Sequence, residues 1–305
     1  MAKPRVTLVT SDLYPNLEKD EEALPDALSD AGMEPVIAQW DDPSVNWDNS
    51  GVCVVRSVRN YAARREEFLN WAHSVPRLLN HPDVLTWNSD KHYMIELEKR
   101  GVPIVPTTWL EPGAHLDKQR VHSRFPAHGD FVVKPAVSSG ARDIGRYTAN
   151  DTRSRMAAIL HSMELLQSGR SVMVQRYLED VDVHGELSLI YFNGLISHAV
   201  EKKAMLDPFE ETSGELQKET IIEGFQPNAQ EWEWGEKLRV HLHDYVKERM
   251  GHDLSFLFTR FDVIKDGKGS FHLMEVSLVD ASLYLSSIEG GVQAFTDAIA
   301  ARVFW

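Results

Sequence analysis

Thr259-Arg260-Phe261-Asp262-Val263-Ile264 and Leu273-Met274-Glu275-Val276-Ser277 flank the turn Asp266-Gly267-Lys268-Gly269. Apolar and polar residues alternate on both sides of that glycine-rich turn, which predicts a β-hairpin over Leu257–Ile264 and Ser270–Val279. Side chains of a strand alternate between its two faces, so Arg260 shares a face with Asp262, and Glu275 shares one with Ser277. If the registers align, two carboxylates and a hydroxyl converge beside an arginine. Clustered acids repel one another unless something positive lies between them. A hard cation with oxygen ligands, Mg²⁺ or else Mn²⁺, meets that need. A plain salt-bridge ladder is the other reading of the same four residues.

Working outward, Phe131-Val132-Val133-Lys134-Pro135 puts a lysine inside an apolar strand, where an ammonium is costly without a partner. The polar loop that follows, Ser138-Ser139-Gly140-Ala141-Arg142-Asp143, offers backbone N–H groups to a phosphate. Lys91, at the start of a helix expected over Ser89–Gly101, adds a second ammonium. Glu186–Phe192 and Leu195–Lys202 are strand-like on either side of Asn193-Gly194, the favoured pair for a two-residue hairpin turn. That turn pairs Glu186 with Glu201 and sets Lys203, not Lys202, on the Glu186 face; a β-bulge reverses the choice. Together these residues outline a pocket for a magnesium nucleotide, with dispersed lysines instead of one compact motif.

The front of the chain alternates strands (Val6–Thr10, Glu34–Gln39, Val52–Arg56) with helices (Lys19–Ala31, Tyr61–His73), the order of a small parallel α/β domain. The rest reads as antiparallel α+β, with capping-box spacing from Asn228 to Glu231 opening a long helix. A single cysteine, Cys53, excludes an internal disulfide and cysteine-based zinc clusters. The net charge of -14 opposes nucleic acid as a partner. No apolar run reaches membrane-spanning length and the first residues lack a signal-peptide pattern, so a cytoplasmic protein with no membrane partner is expected. Compact phosphate-loop, dinucleotide, zincin and serine-hydrolase motifs are absent.

In the order and spacing of these residues, the chain resembles the ATP-grasp superfamily from about Trp87 to Leu285. The resemblance implies an ATP-grasp fold behind a pre-ATP-grasp α/β domain, with divisions at residues 1–86, 87–178 and 179–305. It implies ATP contacts from Lys91, Lys134, Ser138, Ser139 and Gly140. Gln175, Arg176, Tyr177 and Leu178 fall at the adenine hinge, and Asp182 at the ribose acid. Asp262, Glu275 and Ser277 fall at the metal positions, and Arg260, Lys202 and Glu186 at the catalytic ones. The implied activity is an ADP-forming, carboxylate–amine ligase that passes through an acyl-phosphate of a small amino-acid-like substrate.

Gly185-Glu186-Leu187-Ser188-Leu189, Ser197-His198-Ala199-Val200 and Ser282-Leu283-Tyr284-Leu285 are similar to the branch of cycloserine-forming O-ureido-D-serine cyclo-ligases. Three segments depart from it. Ser277 stands where an asparagine is usual, with Asp280 nearby; Lys202-Lys203-Ala204 replaces Lys-x-Pro; and Gln217, in Gly214–Glu219, replaces an arginine. These departures favour a linear ligase over the cyclising one, with a regulatory ATP-binding module as the non-enzymatic rival. A homodimer is compatible with either.

Overall fold

The structure, a computed structural model, describes residues 2–207, 219–222 and 225–304. Strands β1 (Arg5–Thr10), β2 (Glu34–Gln39), β3 (Val52–Val55) and β4 (Leu78–Leu79) form a parallel sheet in the order β2-β1-β3-β4. All four residues of β3 are buried, as a strand covered on both faces demands. On one face Val9, Cys53 and Val55 pack against Phe68, Leu69 and Ala72 of α2 (Arg65–Ser74). The other face packs against α1 (Leu24–Asp30). The predicted helix over Lys19–Ala31 is shorter because Pro25 has no N–H for the Glu21 carbonyl, so the helix starts at Leu24 with the proline in its first turn and does not run through it.

Two short helices, α3 (Pro82–Asn88) and α4 (Tyr93–Lys99), lead into the second sheet. That sheet holds β5 (Thr107–Leu110), β6 (Asp130–Pro135), β7 (Gly145–Thr148) and β8 (Val172–Arg176), antiparallel in the order β5-β8-β6-β7. α5 (Lys118–His122) and α6 (Thr152–Gln167) cover one of its faces. The edge strand expected from Val102 begins only at Thr107, since Pro103 and Pro106 remove two ladder donors.

After α7 (Val181–His184), the chain lays down β9 (Glu186–Phe192), β10 (Leu195–Lys202), β11 (Ile221–Ile222), α8 (Ala229–Met250), β12 (Phe258–Lys265) and β13 (Phe271–Ser277). These strands form an antiparallel sheet ordered β11-β10-β9-β12-β13. Leu187, Leu189, Phe261, Val263 and Val276 face a core built with α3, α4 and α8, where the capping box of Asn228 and Glu231 is present. The opposite face carries the polar residues of the site and, farther along, packs Ile190, Phe192 and Phe258 against α9 (Gly291–Phe304).

The segment after β13 is fastened to the front sheet. Buried Arg56 pairs with Glu21 and donates to the Ala281 carbonyl at 2.9 Å, and the Asp20 carboxylate accepts the Leu285 and Ser286 N–H groups. Among the described residues, no helix is long and apolar enough to cross a membrane.

Candidate active site

The period-2 rule places the reactive face of the last hairpin. Asp262 stands directly opposite Glu275, and Arg260 opposite Ser277. A bulge at Met274 follows, so Met274 and Glu275 both line the cavity. On the other side of β12, Ser188 of β9 faces Asp262 and donates to its Oδ1. Arg260 binds Asp262 Oδ2 through Nε at 3.2 Å and Nη2 at 2.8 Å. Burial alone would raise the Asp262 carboxyl, but Arg260 and Lys202 overcome it and hold the group well below the usual carboxylate range.

Lys202, buried to 2% exposure, gathers three acids: Asp262 Oδ1 at 3.2 Å, Glu186 Oε2 at 3.2 Å and Glu219 Oε1 at 3.4 Å. Ser197 is the extra residue of a bulge in β10, which pairs Lys202 with Glu186 and leaves Lys203 exposed. The two-residue turn by itself predicted Lys203; the bulge reverses the face. Burial pushes the Glu186 carboxyl up against the pull of Lys202, whereas Lys202 and Arg260 hold Glu219 down despite its burial.

From the facing sheet, Lys134 enters the cavity with no ion pair to any described residue. Burial lowers its ammonium to about 8, with Glu275 pulling upward and Lys91 pushing further down. Lys91 Nζ lies 3.3 Å from Glu275 Oε1 and 3.3 Å from Ser138 Oγ. In the loop beyond, Gly140, Ala141 and Asp143 all have positive φ. For Ala141 that conformation is strained, and such strain collects where a loop must hold an unusual shape for a ligand. Ser139 donates to Asp280, and Arg170 holds the loop's far end through Asp143 at 2.6 Å.

Gln175, Arg176, Tyr177 and Leu178 line the cavity beside an apolar slot of Val105, Val132, Ile264 and Met274. Asp182 does not line it. Its carboxylate pairs with Arg146 of β7 at 2.8 Å and accepts the Tyr177 hydroxyl. Apart from Asp182, the residues that the resemblance placed at nucleotide, metal or catalytic positions all border one cavity of about 840 Å³ between the second and third sheets. Gln217 lies outside the described residues.

The cavity also has walls that no strand alternation announced. Tyr14, Glu18 and Arg59 come from the front domain, with Arg59 held to Glu18 at 2.5 Å and donating to Ser282. Tyr284 donates to Glu219 at 2.7 Å, and its ring lies beneath the Arg260 guanidinium. These residues meet only through tertiary folding. Tyr284 alone had a local signal, as part of the Ser282–Leu285 segment.

Asp262 and Glu275, with the Ser277 hydroxyl, are a hard-oxygen donor set opposed across one strand pair, which suits a Mg²⁺ that takes one or two carboxylates and completes its shell from phosphates and water. Among the described residues, no group of three or more histidines, cysteines or acids forms a metal centre. Any cation here therefore depends on its nucleotide for further ligands.

A relative from Streptomyces lavendulae, cycloserine biosynthesis protein DcsG, is 30% identical over 303 residues, covering 98% of each chain. The chain belongs to the DcsG family. A model of the D-cycloserine synthetase DcsG N-terminal domain matches residues 6–80. The crystal structure of D-cycloserine synthetase DcsG superposes with a TM-score of 0.84 at 29% identity, covering 98% of this chain and 99% of that one. D-alanyl-alanine synthetase A from Vibrio cholerae, at 14% identity and TM-score 0.67 over 100% and 98% of the two chains, shares the fold alone. That fold is ATP-grasp, and this DcsG-family chain is an ATP-grasp ligase.

Proposed function

We propose that this chain uses ATP to phosphorylate a carbonyl oxygen of a small amino-acid-like substrate and joins the activated carbon to an amine. The substrate oxygen attacks the γ-phosphorus, the bond to the β–γ bridging oxygen breaks, and ADP leaves. The amine nitrogen then attacks the acyl carbon, loses a proton and expels phosphate, leaving an amide.

One observation carries the nucleotide reading. Lys134 is a buried ammonium bordering the cavity without an ion-pair partner among the described residues, and the distant pull of Glu275 offsets only part of its desolvation, which leaves it suited to an anion from outside. In this reading Lys91 and Ser138–Gly140 join it around the phosphates, the apolar slot at Gln175–Leu178 receives the base, and Lys202 and Arg260 stabilise the transferring phosphoryl group. Glu186 fixes Lys202. Asp262, Glu275 and Ser277 would hold Mg²⁺, which would supply neutralisation of the phosphate charge. Asp182 reaches a ribose only by leaving Arg146.

Ring closure within one molecule is the second reading, favoured by the end-to-end likeness to DcsG. Small substrates and ATP suffice for either, consistent with a cytoplasmic enzyme. A screen for ADP release over D- and L-amino acids and O-ureido-D-serine, with mass spectrometry of products, separates them. A joined pair of amino acids supports the linear reading, and a cyclic product the other. ATP held without ADP formation under every substrate overturns both.

A further inference from the structure

β13 is the edge strand of the third sheet, yet it carries Glu275 and Ser277. An edge exposes a row of unpaired N–H and C=O groups and is the part of a sheet most prone to slip. A slip of one residue would turn Glu275 and Ser277 out of the cavity and Val276 into it. Before the bulge, main chain covers this edge: Leu273 N–H bonds the Pro103 carbonyl at 2.8 Å, and Val105 N–H bonds the Leu273 carbonyl at 3.2 Å. The bulge at Met274 shifts the phase, so Val276 and Leu278 next face outward, where no strand lies.

Two buried side chains take the place of that strand. The Tyr93 hydroxyl donates to the Val276 carbonyl at 3.0 Å and accepts the Val276 N–H at 2.9 Å. Asn88 donates to the same carbonyl at 2.8 Å and accepts the Leu278 N–H at 2.8 Å. Lys91, between them in sequence, reaches the Glu275 carboxylate itself.

We infer that Tyr93 and Asn88 are positioning residues for the metal-binding strand: they hold the backbone of Val276 and Leu278 and so fix Glu275 and Ser277 toward the cation. Neither touches the cavity. The inference rests on the reading of Asp262, Glu275 and Ser277 as cation ligands. Outer groups that orient ligands are worth about 10–100-fold in metal affinity, and that is the size of the effect expected here.

The test is Mn²⁺ binding in the presence of ADP, followed by electron paramagnetic resonance on the full chain, with no turnover required. Tyr93→Phe removes both bonds to Val276, and Asn88→Ala supplies a second variant should the first not fold. Val246→Ala, in the same apolar core but away from the strand edge, controls for lost stability. Mn²⁺ binding weakened about tenfold or more in Tyr93→Phe or Asn88→Ala, beyond any change in Val246→Ala, supports the inference. Equal affinity in wild type and both variants, or loss that follows melting temperature across all three substitutions, overturns it. No loss of the free Mn²⁺ signal on adding the wild-type chain, beyond that caused by ADP alone, overturns the cation reading of Asp262 and Glu275, and this inference with it.

Discussion

Lys202 stands directly across from Glu186 because Ser197 is bulged out of the strand between them and the turn. Lys202 and Asp262 are buried and Glu186 is nearly so, and one ammonium serves three carboxylates. Such a cluster tolerates loss of its cation poorly. Lys202→Met is expected to destabilise the fold by about 3–5 kcal/mol, the range for stranding a buried charge. Adding Glu186→Gln should restore part of that loss. Urea unfolding of the single and double variants measures both; a single variant as stable as wild type contradicts the burial argument.

Lys134 makes nucleotide affinity depend on pH. Its ammonium loses its proton near pH 8 in the free protein because burial outweighs the pull of Glu275. Above that pH, binding a triphosphate must restore the proton, so the Kd for ATP rises about tenfold per pH unit. Lys134→Arg keeps its charge and should flatten the profile. The unliganded fold moves the other way. An unfolded lysine holds its proton to about pH 10.4, so between about 8 and 10.4 the unfolded state binds more protons and this group's contribution to stability rises with pH. Calorimetric titration from pH 6.5 to 9.5 checks the first half, and a Kd that does not change removes Lys134 from the phosphate site.

Glu275 separates chemistry from folding. It remains partly exposed, and its one ion pair among the described residues is with Lys91. Glu275→Gln should therefore lower kcat by about a hundredfold or more while moving unfolding free energy by less than about 1 kcal/mol. ADP release at wild-type rate in this variant would remove Glu275 from the reaction.

Gly185 precedes Glu186 with φ at 68°, and a Cβ there would lie 2.1 Å from the Lys202 carbonyl oxygen. Both the conformation and the contact require glycine. Gly185→Ala must push the end of β10 away, displacing Lys202 from its acids. Loss of more than about 1 kcal/mol in stability together with loss of turnover is the expected outcome; stability without activity loss would show that the strand end moves freely.

Much of this site was legible because period-2 alternation is local. Arg260, Asp262, Glu275 and Ser277 needed only a hairpin and a common face, and the lone charge in Phe131–Pro135 marked Lys134. The choice between Lys202 and Lys203 was not legible from the turn, since the bulge at Ser197 is set by packing of the whole sheet. For Asp182, sequence distance from Leu178 cannot reveal its pairing with Arg146, which arrives from β7. Glu18 and Arg59 are 41 positions apart and meet through tertiary structure alone. In the front sheet, alternation of strand and helix gave the parallel order, while helix starts were set by single prolines such as Pro25.

The fastening of residues 281–286 to Arg56 and Asp20 makes the front domain a determinant of what the back half accepts. Ser282 and Tyr284 form part of the cavity wall, yet their backbone takes its course from side chains more than 220 positions upstream. A chimera that exchanges the first 80 residues with those of a relative would thus inherit a reshaped wall, even with every cavity residue of the recipient left intact. Swapping selectivity between such enzymes means moving the anchor points as well as the contacts.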